Sequence, residues 1–434
     1  MKLASLEPML GCAADRFISV VQMKWTTIQL LRVFIARSNA IKIKRAGRMD
    51  KEQSLLYAIF KSYCADEKLQ EVQLYERVDW NSFLQLAGHH RVLPLLHHFF
   101  KAEADHSIPD FVLKRLREEH RDNLFKMMML AGESSRIHDE LEVSGVRSLF
   151  LKGPTLAFEL YGDLSLRNSS DLDILIDLKA VSGNLFTLDR LMERLGYQTD
   201  DFEPSLFNEW KWRQHHRTYY NSLTKTFVEI HWRLSPGPLM EPSFEELWRE
   251  RRRSNLPSCS VYYLGSTHLF YYLTLHGARH GWFRLRWLLD MDRLLRRNVD
   301  WDAVRKLLRR FQALHLGDQT LLMASRILNT PLPSVFLPIR PGSKGDQLTS
   351  RPSYYLKETI NVSSTPQAGF IRDHKRYLFS MKSPLHKFLF LLSLFHPYPQ
   401  DEKTMPLPKP FHFLYFPLRP FLWIWRKARQ EPLL

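Results

Sequence analysis

The chain has 434 residues, of which 44% are hydrophobic and 13% aromatic. This composition is typical of globular domains and excludes a largely disordered or fibrous chain. Lys and Arg number 62 against 46 Asp and Glu, a formal net charge of +16. Three widely spaced cysteines, Cys12, Cys64 and Cys259, exclude a disulfide framework and a zinc knuckle and favour the reducing cytoplasm. The longest apolar run, residues 388–395, is too short to span a bilayer.

The N-terminal segment, residues 1–48, holds much of the basic excess. It has nine Lys or Arg and two acidic residues, a net charge of +7. The segment is interpreted either as a basic arm or as an extension that is not native to the protein. The second alternative rests on Met49, because Asp50 to Glu52 and an apolar pattern at helical spacing follow it, as at the start of a first helix.

Residues 49–144 show helical periodicity and predict a helical N-terminal region. The pattern changes at Gly145, and residues 145–235 alternate between strand and helix signals, which predicts a small α/β or α+β domain. The predicted strands are 146–151, 171–176, 217–221 and 227–233, and the predicted helices are 155–161 and 184–195.

The rest of the chain is predicted to form a helical domain at 236–330 and an irregular tail at 331–434. The tail is basic and rich in proline and aromatic residues, and residues 381–434 alone hold nine prolines. Its stretch 414–427 mixes aromatic and basic side chains. Such a segment packs back on the body of the protein or contacts the inner face of a membrane peripherally. We favour packing, because prolines interrupt an amphipathic helix there.

Paired carboxylates are the strongest chemical signal. Asp171 and Asp173 are two residues apart on a predicted strand, so their side chains share one face. Two adjacent carboxylates repel unless a cation lies between them, and Mg²⁺ or Mn²⁺ suits such oxygen ligands. Glu229 on a later strand offers a third carboxylate, and the neighbouring His231 is expected to be a structural histidine rather than a base.

A glycine at a strand-to-helix junction precedes these carboxylates. Gly153 follows Lys152 at the point where free backbone N–H groups and the helix dipole favour an anion. Together with the three carboxylates, this is the composition of a metal-dependent phosphoryl-transfer site. Arg167, on the loop before the carboxylate strand, either binds a phosphate bidentately or forms a structural pair with an acid.

These motifs together resemble the nucleotidyltransferase superfamily of the DNA polymerase β type. The residues are Leu151-Lys152-Gly153, the Asp171-x-Asp173 strand and Val228-Glu229-Ile230-His231-Trp232. With Leu275–Trp282 and Leu285–Asp290, they are similar to a bacterial branch of uncharacterised nucleotidyltransferases over roughly residues 80–330.

The resemblance implies an α+β fold, with a small mixed-sheet nucleotidyltransferase core flanked by helical segments on both sides. It implies that Asp171, Asp173 and Glu229 are the catalytic metal ligands and that Gly153 marks the phosphate-binding turn. Pro154 stands where a Ser or Gly usually follows the glycine, so Lys152 is expected to contact the phosphates instead.

The resemblance also places a later helix over the active site. Its His276, Arg279 and His280 would contact nucleotide or acceptor, or serve in helix packing. The spacing of the two histidines also fits a zinc site, but the glutamate of a zinc protease and a nearby third ligand are missing from the sequence.

The resulting hypothesis is an EC 2.7.7-type enzyme that moves a nucleoside monophosphate from an NTP to an unidentified hydroxyl or phosphate acceptor and releases pyrophosphate. The alternative is a degenerate module of the same fold that binds nucleotide or recruits a partner. Action on RNA ends ranks last, because the sequence contains no RNA-recognition motif. The oligomeric state and the base preference do not follow from the sequence.

Overall fold

The computed structural model describes residues 50–70, 72–103, 108–181, 185–200, 207–257, 259–357 and 368–429. The expected N-terminal arm or extension at 1–48 therefore lies outside the described residues. Residues from Asp50 onward form one unit by their internal contacts.

The N-terminal region is helical, as its periodicity predicts. Asp79 begins the second helix, where its Oδ1 accepts hydrogen bonds from the backbone N–H groups of Asn81 and Ser82. The longest helix has 34 residues and buries one side at helical spacing, including Val112 and Leu116. The helices are α1 (Lys51–Ala65), α2 (Trp80–His90), α3 (Leu93–Glu103) and α4 (Asp110–Val143), with a 3₁₀ helix at Val72–Tyr75.

A six-stranded mixed sheet lies at the centre of the chain, in the order β3-β4-β2-β1-β6-β5. The pairs β2–β4 and β1–β6 are parallel, whereas β1–β2, β3–β4 and β5–β6 are antiparallel. The strands are β1 (Ser148–Phe150), β2 (Asp171–Ile176), β3 (His216–Asn221), β4 (Thr226–His231), β5 (Arg252–Arg253) and β6 (Tyr262–Tyr263). The expected mixed α and β organisation is therefore present.

The sequence predicts that the α+β domain ends at residue 235, but two further strands of the same sheet, β5 and β6, follow that position. Tyr263 of β6 pairs with Phe150 of β1, so a strand from the expected helical domain completes the same sheet. Strands β5 and β6 have two residues each, which is too short to produce an alternating pattern.

One face of the central strands is apolar and fully buried. Leu172 and Ile174 of β2 pack in one cluster with Val228 and Ile230 of β4 and with residues of the helix Leu185–Arg194. Because side chains alternate along a strand, this packing directs the intervening carboxylates to the opposite face. The helices of this layer are α5 (Pro154–Tyr161), α6 (Leu185–Arg194) and the short α7 (Trp210–Arg213), with a 3₁₀ helix at Leu164–Leu166.

Helices after the β3–β4 hairpin bury apolar side chains in one cluster with Leu149 of β1 and Leu175 of β2. The buried helix Ser266–Arg279 approaches Trp282 so closely that a Cβ on Gly277 would lie 2.4 Å from the indole ring, so glycine is needed there. The helices are α8 (Phe244–Arg249), α9 (Ser266–Arg279), α10 (Leu285–Leu295), α11 (Trp301–Arg310) and α12 (Leu314–Leu328), with a 3₁₀ helix at Ser334–Phe336.

The C-terminal region differs from the irregular structure expected for residues 331–434. Several prolines begin helices instead of breaking them, since the first helical position needs no N–H donor; Pro384 and Pro399 are such residues. The helices are α13 (Lys344–Leu348), α14 (Ser350–Lys357), α15 (Ala368–Ser380), α16 (Pro384–Ser393), α17 (Pro399–Thr404) and α18 (Tyr415–Ala428), with a 3₁₀ helix at Lys409–Leu414.

Helix α18 packs on α17 through buried charges. The Asp401 carboxylate accepts hydrogen bonds from Arg419 and Arg426, all three side chains being buried. Trp423 and Trp425 remain exposed on the outer side. Within the described residues, no helix is long and apolar enough to cross a membrane. Peripheral contact of this tail with a membrane stays a prediction.

Candidate active site

The register between strands β2 and β4 places acidic side chains side by side. Asp173 pairs with Glu229, and Asp171 pairs with Phe227, in parallel strands. Paired residues of neighbouring strands point to the same face, so Asp173 and Glu229 are direct neighbours. Asp171 lies on that face two residues earlier, at the first position of β2.

Asp173 is the most enclosed acid of the group. Its side chain is 1% exposed, and its Oδ1 lies 2.9 Å from Lys152 Nζ and 3.3 Å from His231 Nε2. Burial alone would raise the pKa of Asp173, but the Lys152 ammonium and His231 outweigh burial and hold the pKa well below its usual range. Asp173 therefore stays a carboxylate.

Asp171 has the opposite electrostatic environment. Burial, and next the Asp173 carboxylate, raise its pKa, and Lys152 offsets only part of this. Two neighbouring carboxylates in a partly buried site favour protonation of one of them unless a further cation arrives.

Three candidate metal ligands converge at the paired strands. Donor atoms of Asp173, Glu229 and His231 all lie within 4.8 Å of one another. His231 Nε2 is 3.3 Å from Glu229 Oε2, as it is from Asp173. The carboxylates outweigh burial and raise the pKa of His231, and His231 in turn keeps the pKa of Glu229 below its ordinary value. Asp171 is not a member of this converging group.

Two further histidines adjoin the group and were not identified from the sequence. His216 pairs with His231 across the β3–β4 hairpin, and its Nε2 lies 3.8 Å from Glu229 Oε2. His215, His216 and His231 form a second set of donor atoms within 4.8 Å. Burial and His231 lower the pKa of His216 to about 4, so it is neutral at pH 7. The polar turn between the predicted strands 217–221 and 227–233 indicates a hairpin. A hairpin would bring the start of the first strand, next to His215 and His216, close to the end of the second strand, where His231 lies.

The glycine turn lies against the start of β2. Gly153 has φ +78°, and an added Cβ would lie 3.1 Å from Leu172 Cδ2, so both the backbone and the space require glycine. Helix α5 begins immediately afterwards with Pro154. The hydroxyl of Thr155, in the first turn of the helix, is buried without a hydrogen-bond partner. Its position offers a donor next to the free amides of the helix start.

Helix α9 brings its polar residues to the same region. Arg279 Nη1 lies 2.6 Å from His215 Nε2, and Asp173 and Glu229 are among the charges that act on Arg279. Burial, followed by Lys152, lowers the pKa of His276 well below its usual value, and burial and Arg279 lower that of His280 to about 3.

The two α9 histidines pack on an aromatic ring. The imidazoles of His276 and His280 both contact Trp287, at 5.6 and 5.3 Å between ring centroids. Among the described residues, neither belongs to a converging metal-ligand group. This geometry fits helix packing beside the site better than zinc binding.

Arg167 is enclosed in a structural ion pair. Its side chain is 2% exposed, and its Nε and Nη2 donate to both carboxylate oxygens of Asp290 on α10. Tyr161 also donates to Asp290, at 2.9 Å. Of the two roles that the sequence left open for Arg167, this contact favours the pair with an acid.

A family model described as an uncharacterised nucleotidyltransferase matches residues 76–329 of the chain. The matched range runs from the start of the α2 region to the end of α12 and includes all the candidate site residues. Neither the curated proteins nor the solved structures contain a match.

Proposed function

Since the chain belongs to the uncharacterised nucleotidyltransferase family, we propose that it transfers a nucleoside monophosphate from an NTP to a hydroxyl or phosphate acceptor. The observation that carries the proposal is the convergence of Asp173, Glu229 and His231 beside the Gly153 turn. In the reaction, an acceptor oxygen bonds to the α-phosphorus, the bond from that phosphorus to the α,β-bridging oxygen breaks, and pyrophosphate leaves.

The donor set suits a divalent cation. The buried Asp173 oxygens and His231 Nε2 lie close together without hydrogen-bond alignment, an arrangement that a shared ion would satisfy. Asp173, Glu229 and His231 would hold the ion, and Asp171, on the same strand face, would offer a further oxygen ligand. Bound there, Mg²⁺ or Mn²⁺ would neutralise the phosphate charge that develops during transfer.

The triphosphate is assigned to the glycine turn. The amides at the start of α5, the Thr155 hydroxyl and the Lys152 ammonium would bind its oxygens. Lys152 is already 2.9 Å from Asp173, so a phosphate at the turn would lie next to the carboxylates. Glu229 would accept the proton of the acceptor hydroxyl or complete a second cation site, and Arg279 would contact the bound substrate.

Pyrophosphate release tests the proposal. The purified protein is incubated with each of the four common NTPs, with Mg²⁺ or Mn²⁺, in the presence of a mixed acceptor pool. We expect release that depends on the metal and disappears in the variant Asp171→Ala plus Asp173→Ala. Release that survives in this variant would reject the assignment. Metal-dependent NTP binding without any product would instead favour a degenerate nucleotide-binding module.

A further inference from the structure

A large cleft opens at the loop that leads to Asp171, and its lining includes Ser170, the residue before it. It has a volume of about 960 Å³ and lies between helices α2 and α4 and the loop 168–170 that leads into β2. We refer to it as the α2–α4 cleft. Volumes of this size accommodate small metabolites. Among the described residues that line the cleft, neither Lys152 nor Gly153 occurs.

The end of the cleft near Asp171 carries positive charge. Arg91, which follows α2, and Lys126 of α4 both line the cleft, and the Asp171 carboxylate acts on both of them. Neither forms an ion pair at contact distance within the described part of the chain. By contrast, Arg115, nearer the start of α4, is paired with Glu119.

Two more guanidinium groups, those of Arg284 and Arg286, lie near this end of the cleft. Arg286 is buried and donates to the backbone and side-chain oxygens of Asn168, and its Nε has no partner. Arg284 donates to the carbonyl oxygen of His89, at 3.1 Å. Within the described residues, neither makes an ion pair with a carboxylate.

Burial, and next the repulsion between neighbouring cations, makes this arrangement costly for the protein alone. Burial and Arg167 hold the pKa of Arg286 well below its usual value, and burial and Arg91 lower that of Arg284 to about 10. Uncompensated guanidinium groups in partly buried positions are stabilised by a bound anion. At this end of the cleft, the four cations Arg91, Lys126, Arg284 and Arg286 outnumber the Asp171 carboxylate and suit a phosphate dianion. Glu118, Glu119 and Asp122 of α4 also line the cleft, and Glu119 and Asp122 are paired with Arg115 and Arg121.

We propose that the α2–α4 cleft binds the acceptor of the transfer reaction and that this acceptor is a small phosphorylated molecule. Arg91 and Lys126 contact its phosphate, while Arg284 and Arg286 raise the positive potential behind the loop. The remainder of the acceptor then lies next to Asp171, where its reactive oxygen meets the nucleotide. This assignment rests on the proposed function, which gives the separate glycine turn to the triphosphate.

Calorimetric titration with inorganic phosphate, without NTP, tests the binding part. The double variant Arg91→Gln plus Lys126→Gln is expected to bind phosphate roughly ten-fold more weakly or worse, because two charged hydrogen-bond donors are lost. The matched control Arg115→Gln removes a charge from the same cleft where Glu119 already compensates it, and should bind as the wild type does. If Arg91→Gln unfolds the protein, Lys126→Gln alone is used, because Lys126 is exposed. It is also expected to weaken phosphate binding.

A second titration tests whether the cleft binds the acceptor or the nucleotide. Binding of α,β-methylene-ATP with Mg²⁺ should change less than two- to three-fold in the double variant. An equal loss of phosphate and analogue binding would assign the cleft to the nucleotide and overturn the proposal, as would unchanged phosphate binding.

A mass-based screen of metabolites, each with and without its phosphate, tests the acceptor class. Mass gain confined to the phosphorylated member of each pair is expected, and equal gain by the free metabolite would contradict the proposal. Because phosphate binding needs no turnover, a wild-type protein that binds phosphate through Arg91 and Lys126 but transfers nothing would reject the proposed function and with it the acceptor role, while the phosphate site in the cleft would stand.

Discussion

Lys152 Nζ lies 2.9 Å from Asp173 Oδ1, which joins the residue before the glycine turn to the carboxylate at the centre of the site. The lysine is therefore placed between two proposed charges, the metal-binding carboxylate and the triphosphate. Without a cation it neutralises Asp173, and with NTP bound it is close enough to the glycine turn to contact a phosphate.

Replacement of this lysine should affect nucleotide binding first. We expect Lys152→Met to raise the KM for NTP about ten-fold or more, because a charged hydrogen bond to phosphate is lost. Steady-state kinetics at saturating metal ion provide the measurement. Lys179→Met, at a residue that follows β2, is the matched control and should leave KM unchanged. Equal KM values in the wild type and Lys152→Met would remove Lys152 from the triphosphate site.

The glycine turn should tolerate no side chain. Gly153→Ala is expected to lower the free energy of unfolding by about 1–3 kcal/mol, because φ is +78° and the new Cβ would meet Leu172. Urea unfolding measures this change. Gly132→Ala on α4 is the control: an added Cβ there meets nothing within 4 Å, so this helix position should become slightly more stable. Equal stability of the two variants would show that the turn is not constrained.

The buried pair Arg167–Asp290 should behave as a structural unit. Arg167→Met and Asp290→Asn are each expected to cost about 3–5 kcal/mol of unfolding free energy, because each leaves a buried charge or donor without its partner. The double variant should cost clearly less than the sum of the two. Urea unfolding of the three variants checks this. An Arg167→Met protein of wild-type stability with a raised KM for NTP would favour the phosphate-binding role instead.

Stability should fall in mild acid because of His90. This buried histidine accepts a hydrogen bond at Nδ1 from the Leu285 N–H, and burial, followed by His89, lowers its pKa to about 3. Below pH 6.5 the unfolded chain binds a proton at His90 that the folded chain does not, so stability decreases as the pH falls.

The slope of this decrease can be isolated with a variant. Between pH 6 and pH 4.5, the free energy of unfolding of the wild type should fall up to about 1.4 kcal/mol per pH unit more steeply than that of His90→Gln. Urea unfolding at several pH values measures both slopes. Parallel slopes would mean that His90 has an ordinary pKa in the folded protein.

The sequence was sufficient for those parts of the site that depend on local patterns. Alternation along β2 and β4 predicts the shared face of Asp171 and Asp173, and the strand-to-helix junction predicts the Gly153 turn. Glu229 could be named as a third acid because its strand has the same alternation.

The parts that the sequence did not predict depend on long-range pairing. The closeness of His216 to Glu229 requires the hairpin register between β3 and β4. The α2–α4 cleft combines Arg91, at the end of one helix, with Lys126 in the middle of another, and no local pattern relates two such distant positions. The partner of Arg167 is Asp290, more than a hundred positions away, so its burial could not be read from the neighbouring loop.

The most direct test of the central claim follows the label of the NTP. NTPs labelled at the α- or the γ-phosphate are incubated with divalent metal ion, protein and phosphorylated acceptors, using the wild type, Asp173→Asn and the control Asp177→Asn. Asp177 directly follows the same strand but pairs with Arg147, away from the converging ligands. We predict that the wild type and Asp177→Asn transfer only the α-label to an acceptor. The rate of this transfer should be at least about a hundred-fold lower in Asp173→Asn. Transfer of the γ-label, or undiminished α-label transfer by Asp173→Asn, would contradict the account.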